Sequence, residues 1–479
     1  MAVLDRLEPR EVFRFFEELS AIPHGSGNTG AVSRWCADFA RARGLEYHQD
    51  ALNNIIIIKE AAPGYERAEP IILQGHLDMV CEKVPGCRKD MAAEGLELAV
   101  DGDQILACGT TLGGDDGIAV AMMLAALDAK DLPHPRLEAV FTVDEEIGML
   151  GAAALDVSPL RGRRLLNLDS EAEGVFTVGC AGGNTTRCVL PVRRTEGRGE
   201  TLRVTVSGLA GGHSGQEIDR GRANAVQLMG RALLAMSRAA ELRLVSVDGG
   251  LKDNAIPREA SALVRVSDGR AASAAADELA AALKNEYRAA DPDIRLTAEP
   301  AETARTPMDA DSTRRCVCFL ACAPNGVEAM STEIPGLVQT SLNLGILTTG
   351  EAELSASFCV RSSIDTQKEM LSRRLECLTG QLGGQVERSG EYGAWEYRPD
   401  SPLRELMAAV YREQYGAEPK IETIHAGVEC GLFAAKLPGL DCVSIGPDLT
   451  DIHTPRERLS VSSTARVWRF VKEVLRRAQ

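Results

Sequence analysis

The stretch Pro70-Ile-Ile-Leu-Gln-Gly-His-Leu-Asp-Met79 sets an apolar run directly against a histidine and an aspartate. Residues 70–74 read as a buried strand, and His76 and Asp78 fall just past its carboxyl end. The same arrangement recurs along the chain. Residues 137–143 run into Asp144-Glu145-Glu146, residues 165–168 into Asp169, and residues 442–445 into the loop that carries His453. Asp115, in Gly-Gly-Asp-Asp-Gly, opens the apolar helix expected over 117–129. In open α/β sheets, ligands bind outside the carboxyl ends of the strands. The pattern therefore predicts an α/β fold with a mostly parallel sheet, and it marks the sheet edge where the chemistry sits.

Outward from that stretch the chain alternates. Helices are expected over 11–19 and 31–43, and a strand over 54–58. Alternation of this kind implies a sheet with helices on both faces. Near residues 191–201 the sequence turns polar and Gly-rich, and the pattern changes. Strands at 202–206, 242–247, 260–266 and 353–360 surround helices at 222–240, 271–288 and 367–379, which reads as an α+β domain. A second polar stretch, 390–402, precedes a return to helix–strand alternation. Because His453 lies in that last part, the chain must fold back onto its first domain. The expected organisation is a catalytic domain in two segments, 1–190 and 391–479, around an inserted α+β domain, 191–390.

Composition narrows the possible functions. A chain of 479 residues with 44% hydrophobic residues can bury more than one core. Lys+Arg 53 against Asp+Glu 69 gives a net charge of −16, which argues against nucleic acid or an anionic membrane as partner. No basic segment followed by an apolar core stands at the start, so no signal peptide is expected. The longest apolar run, 118–127, is too short to span a bilayer. The 13 cysteines include no Cys-x-x-Cys pair. Cys316, Cys318 and Cys322 resemble a metal cluster at first sight, but free Cys usually behaves as a small buried hydrophobe and no second ligand pair is near. A reduced, cytoplasmic protein is expected.

Each motif has a plain structural reading beside the chemical one. His76-Leu-Asp78 could be a hydrogen-bonded pair closing a strand; alternatively, Asp78 orients the His76 ring as a metal ligand. Asp115 and Asp116 could cap a helix. Asp144-Glu145-Glu146 could be a solvated turn, yet at the end of a buried strand two adjacent carboxylates can divide labour. Glu146 would then coordinate a metal while Glu145 acts as general base. Asp169 with Glu171, His213 in Leu-Ala-Gly-Gly-His-Ser-Gly, His425 in Ile-His-Ala-Gly-Val-Glu-Cys-Gly, and His453 each suit a surface loop when read alone. Taken together, His76, Asp115, Glu146, Asp169 and His453 exceed the three protein ligands that one catalytic zinc takes beside water. They suit two divalent ions sharing a carboxylate. Zinc is expected, with manganese or cobalt as alternatives that the same donors accept.

The motifs His76-Leu-Asp78-Met-Val, Gly-Gly-Asp115-Asp116-Gly, Asp-Glu145-Glu146-Ile-Gly-Met, Asn-Leu-Asp169-Ser-Glu, Gly-Gly-His213-Ser-Gly and His425-Ala-Gly-Val-Glu-Cys-Gly occur in that order. In this the chain resembles the bacterial aminoacyl-histidine dipeptidases, within a two-metal family that also includes tripeptidase T, aminoacylase and glutamate carboxypeptidase. The resemblance implies that the inserted domain is a lid through which two chains form a homodimer. It implies that His76, Asp115 and Asp169 hold one ion and Asp115, Glu146 and His453 the other. Glu145 would be the general base and Asp78 the orienting acid, while His213, Arg361 (in Cys-Val-Arg-Ser-Ser) and His425 would touch a small peptide substrate. A cis Asp115–Asp116 bond is also implied. Asp116 departs from the pattern, where Asn is expected. The implied activity is hydrolysis of unblocked dipeptides, Xaa-His and β-alanyl-histidine among them. Tripeptide hydrolysis or N-acyl amino acid deacylation are the neighbouring alternatives. A silent binding protein would have lost Glu145 or a ligand, and none is lost.

Overall fold

The structure, a computed structural model, describes residues 3–479. The chain forms two compact units. One comprises the described residues up to Cys180 with Tyr397–Thr423 and Val428–Gln479; the other comprises Ala181–Glu396 with Ile424–Gly427.

The first unit is built on an eight-stranded sheet. Its order is Glu46–Gln49, Ile55–Lys59, Leu137–Thr142, Ile71–His76, Arg164–Asn167, Asp441–Ser444, Val175–Cys180 and Lys420–Ile424. The central pairings, from Leu137–Thr142 across to Asp441–Ser444, are parallel. Those that join Glu46–Gln49, Ile55–Lys59 and Val175–Cys180 are antiparallel. The α/β class stands, and the sheet is mixed rather than mostly parallel. The reason at one edge is local. Asp50 accepts the backbone N–H groups of Leu52 and Asn54, each at 2.9 Å, and so short a turn can join only antiparallel strands.

Ile71–His76 and Leu137–Thr142 are buried at every position, as strands covered on both faces must be. The helix expected over 117–129 spans Gly114–Asp128 and packs on Ile71–His76 and on the helix Arg10–Ser20. Gly75 makes that approach possible: a Cβ there would lie 2.5 Å from Asp116 Oδ2 and 2.9 Å from the Ala119 Cβ. Phe13, Phe16, Val120, Leu124, Phe141, Leu166, Val443 and Trp468 belong to one core cluster, each worth roughly 1.5–3 kcal/mol of burial.

The second unit is an antiparallel sheet. It runs Arg295–Pro300, Glu200–Ser207, Ala260–Val266, Leu242–Gly249, Val338–Thr349, Glu353–Ser362, Gly182–Pro191 and Gln385–Tyr392, with Gly326–Met330 also paired to Val338–Thr349. Burial alternates strictly along Ala260–Val266, the mark of a sheet with one face on a core. The helices Ala225–Ala239, Gly269–Glu286 and Ala310–Cys322 contribute to that core, which is separate from the first. Cys316, Cys318 and Cys322 are thiols on the helix Ala310–Cys322, without a disulfide, and among the described residues they belong to no group capable of holding a metal. Among the described residues no helix is long and apolar enough to cross a membrane.

Candidate active site

At the carboxyl edge of the parallel strands the first unit gathers eight acidic and imidazole side chains. His76 is the last residue of its strand, and its Nδ1 sits 3.0 Å from the Asp78 carbonyl and 3.5 Å from Asp78 Oδ1. Asp78 is buried, and it also accepts the hydroxyl of Ser26 (2.8 Å) and the backbone N–H groups of Glu145 (3.1 Å) and Glu146 (3.4 Å). One carboxylate thus holds the imidazole and the strand end that carries the two glutamates.

Asp115 departs from helical geometry at the start of its helix, and the bond to Asp116 is cis. Its two oxygens face different imidazoles: Oδ1 lies 3.1 Å from His76 Nε2 and Oδ2 lies 3.1 Å from His453 Nε2. Glu146 Oε1 is 3.0 Å from His453 Nε2, and Asp169 Oδ1 is 3.9 Å from His76 Nε2. Three overlapping groups have donor atoms close enough to share an ion: His76 with Asp116 and Asp169, His76 with Glu145 and Glu146, and Asp115 with Glu146 and His453. The first of these groups holds Asp116 where Asp115 was expected, and Asp116 Oδ2 also accepts the His76 backbone N–H at 3.1 Å.

The electrostatics follow from crowding. Burial works against charging Asp115, yet hydrogen bonds from His453 and His76 hold it below the usual carboxylate range. The same contacts, with Asp115 first and Glu146 second, raise His453 to about 10. Glu145 is pushed up to about 8 by burial and by the neighbouring Glu429, Glu146 and Asp115, against the opposing pull of His76. Burial first, and facing carboxylates after it, also raise Asp116 and Asp169. Among the described residues none of Asp115, Glu146 and Asp169 is ion-paired to lysine or arginine. A surplus of buried and half-buried carboxylates with only imidazoles to balance it is relieved by divalent cations, and the mixed nitrogen and oxygen donors suit zinc, manganese or cobalt. The residues present fit two such ions.

Beneath the site a polar row crosses the parallel strands. Glu429 Oε2 accepts from Gln74 (2.5 Å) and Thr142 (2.6 Å), and Gln74 Oε1 accepts from Asn167 (2.6 Å). Burial pushes Glu429 up to about 7. Neither Glu429 nor Glu457 was singled out from sequence. The second does lie four residues past His453, a spacing that could have pointed to it.

The other three candidate residues gather in the second unit. His213 Nδ1 accepts the backbone N–H groups of Gly215 (3.2 Å) and Gln216 (3.1 Å), which leaves the proton of the neutral ring on Nε2. Arg361 is buried and donates to the Tyr392 hydroxyl at 3.0 Å. His425 Nε2 lies 2.7 Å from the hydroxyl of Ser341, the cross-strand neighbour of Arg361, and its Nδ1 has no partner among the described residues. Burial, then Arg361 and His213, depress His425 to about 3. Burial, then Arg361, also lowers His213.

Comparison with known proteins agrees with this chemistry. The family model described as "Peptidase family M20/M25/M40" matches residues 72–477. The chain belongs to that family. It is 34% identical to the cytosol non-specific dipeptidase of Escherichia coli (strain K12) over 480 residues, covering 99% of each chain. Among solved structures it superposes on the aminoacylhistidine dipeptidase of Vibrio alginolyticus with a TM-score of 0.94 and 35% identity, covering 98% of this chain and 97% of that one. Aminopeptidase PepT of Bacillus cereus shares the fold at 16% identity and a TM-score of 0.56. The matched residues include every candidate ligand, with His213, Arg361 and His425.

Proposed function

We propose that this protein is a cytoplasmic dinuclear dipeptidase, acting on unblocked dipeptides that include Xaa-His and β-alanyl-histidine. The observation that carries the reading is Asp115, whose two oxygens each meet a different imidazole, beside a half-buried Glu145 that among the described residues is ion-paired to no lysine or arginine. Two full-length relatives named as dipeptidases support the substrate class, and the cytosolic name of one supports the location.

His76, Asp115 and Asp169 would hold one ion, and Asp115, Glu146 and His453 the other, with zinc as the expected metal. Two divalent ions held there would supply Lewis acidity to the scissile carbonyl and to water. Glu145 would take the proton of the attacking water on a carboxylate oxygen and return it to the leaving amine. Asp78 keeps the His76 ring and the Glu145 backbone in register while this happens. His213 would donate from Nε2 to the oxygen on which charge develops. Arg361 would grip the free carboxylate of the substrate in a charge-assisted pair, and His425 would line the same end through its free Nδ1. The active form would be a homodimer formed through the second unit.

A substrate panel tests the reading. Purified protein with Zn, Mn or Co added back should cleave unblocked dipeptides and leave N-acetylated amino acids and tripeptides largely intact. Amidating the carboxyl end of β-alanyl-histidine should cost roughly 2–5 kcal/mol in kcat/KM. Preferential cleavage of tripeptides or N-acyl substrates would replace the dipeptidase reading, and equal cleavage of amidated and free dipeptides would remove Arg361 from its role.

A further inference from the structure

Glu457 is not among the candidate ligands, yet its carboxylate is bound more completely than any of theirs. The residue is 2% exposed and accepts four consecutive backbone N–H groups. Oε2 takes those of Leu112 (2.8 Å) and Gly113 (3.1 Å), and Oε1 takes those of Gly114 (2.8 Å) and Asp115 (3.3 Å). The first N–H groups of a helix have no partner within it, and the helix Gly114–Asp128 has no side-chain cap from its own N-cap residue. The partner arrives instead from more than three hundred residues away. The fit is close, since a Cβ on Gly114 would lie 3.2 Å from Glu457 Oε1 and 2.6 Å from Leu449 Cδ2.

The other end of Glu457 is tied to the turn that carries His453. Its backbone N–H donates to the Thr454 carbonyl at 3.1 Å. Thr454 Oγ1 donates to the Asp451 carbonyl at 2.8 Å and accepts the Arg456 N–H at 3.1 Å. A path of hydrogen bonds therefore runs from the His453 turn through Glu457 to the Asp115 backbone. It closes where His453 Nε2 meets Asp115 Oδ2 at 3.1 Å.

We propose that Glu457 is a positioning residue that sets the spacing of Asp115 and His453, and through it the affinity of the ion those two share. This rests on the dinuclear reading above. A carboxylate is required because each of its oxygens serves two donors. An amide would offer one oxygen and turn its NH2 group against two N–H groups.

The test is titration of metal-free protein with Co2+, following stoichiometry, affinity and the visible spectrum. Wild type should bind two ions. Glu457→Gln should bind one ion about 10- to 100-fold more weakly, with an altered spectrum for that ion and an unchanged affinity for the other. His453→Ala should weaken the same ion, and adding Glu457→Gln to it should weaken binding little further. Glu457→Asp, which keeps the charge but falls one methylene short, should be intermediate, and it serves if the amide variant does not fold. Wild-type affinity and spectrum in either variant would make Glu457 a cap for the fold alone and overturn the proposal. Fewer than two ions on wild type would overturn the dinuclear reading and this role together.

Discussion

At the residue scale the division between Glu145 and Glu146 is the sharpest feature. They are neighbours at one strand end, both held by Asp78 through their backbone N–H groups, yet Glu146 faces His453 while among the described residues Glu145 meets no imidazole at hydrogen-bond distance. Glu145→Gln should lower kcat by roughly 10²–10⁴-fold with both ions retained, whereas Glu146→Gln should lose metal; elemental analysis beside kinetics separates the two, and equal metal loss would remove the distinction. His425, in the second unit, offers a separate pH test. Its pKa, depressed to about 3, contributes stability that is full above the ordinary value of 6.5 and is lost as pH falls toward 3. Melting temperatures of His425→Gln should therefore fall less between pH 6.5 and 4 than those of wild type. His76, Asp115, Glu146, Asp169 and His453 were legible as candidates because each follows a strand or opens a helix. Glu429 and Glu457 were not, because what makes them notable is their partners: Gln74 and Thr142 for one, four backbone amides for the other, all remote in sequence.

At the scale of elements, the strand Ile71–His76 and the helix Gly114–Asp128 form the unit that presents His76 beside Asp115. Their closeness depends on Gly75. Gly75→Ala would force the Asp116 carboxylate and Ala119 away from the strand, costing roughly 1–3 kcal/mol by overpacking. It should also weaken metal binding, because Asp115 moves with Asp116. Thermal unfolding and Co2+ titration measure the two effects, and a variant with wild-type values in both would show that the contact relaxes without moving Asp115. Sequence periodicity found this strand and helix but placed the helix start three residues late. The residues that extend it, Gly114 to Asp116, include two with non-helical angles, and Glu457 binds the N–H groups at its opening. Periodicity likewise could not tell that Ile55–Lys59 pairs antiparallel with Leu137–Thr142. A buried apolar strand looks the same in either direction.

At the scale of the molecule, two units with separate cores hold different groups of candidate residues. We expect His213 to act on the active site of a partner subunit. His213→Ala should then be folded, dimeric and metal-loaded, with kcat lowered about 10²–10³-fold. Subunit exchange between His213→Ala and Glu145→Gln should restore part of the activity, since one site in the mixed dimer would combine an intact Glu145 with an intact His213. No recovery would confine His213 to its own chain. The sequence by itself determined the α/β class, the family and the candidate ligands, because strand-end acids and histidines are local patterns that survive without knowledge of neighbours. Only the tertiary structure decided which oxygen of Asp115 meets which imidazole, and that Ile424–Gly427 with His425 joins Ser341 in the second unit. It also decided that Glu457 reaches the opening of a distant helix. Each of these is a contact between segments far apart in sequence, set by how the strands pair and the helices pack, and no local pattern of residues records it.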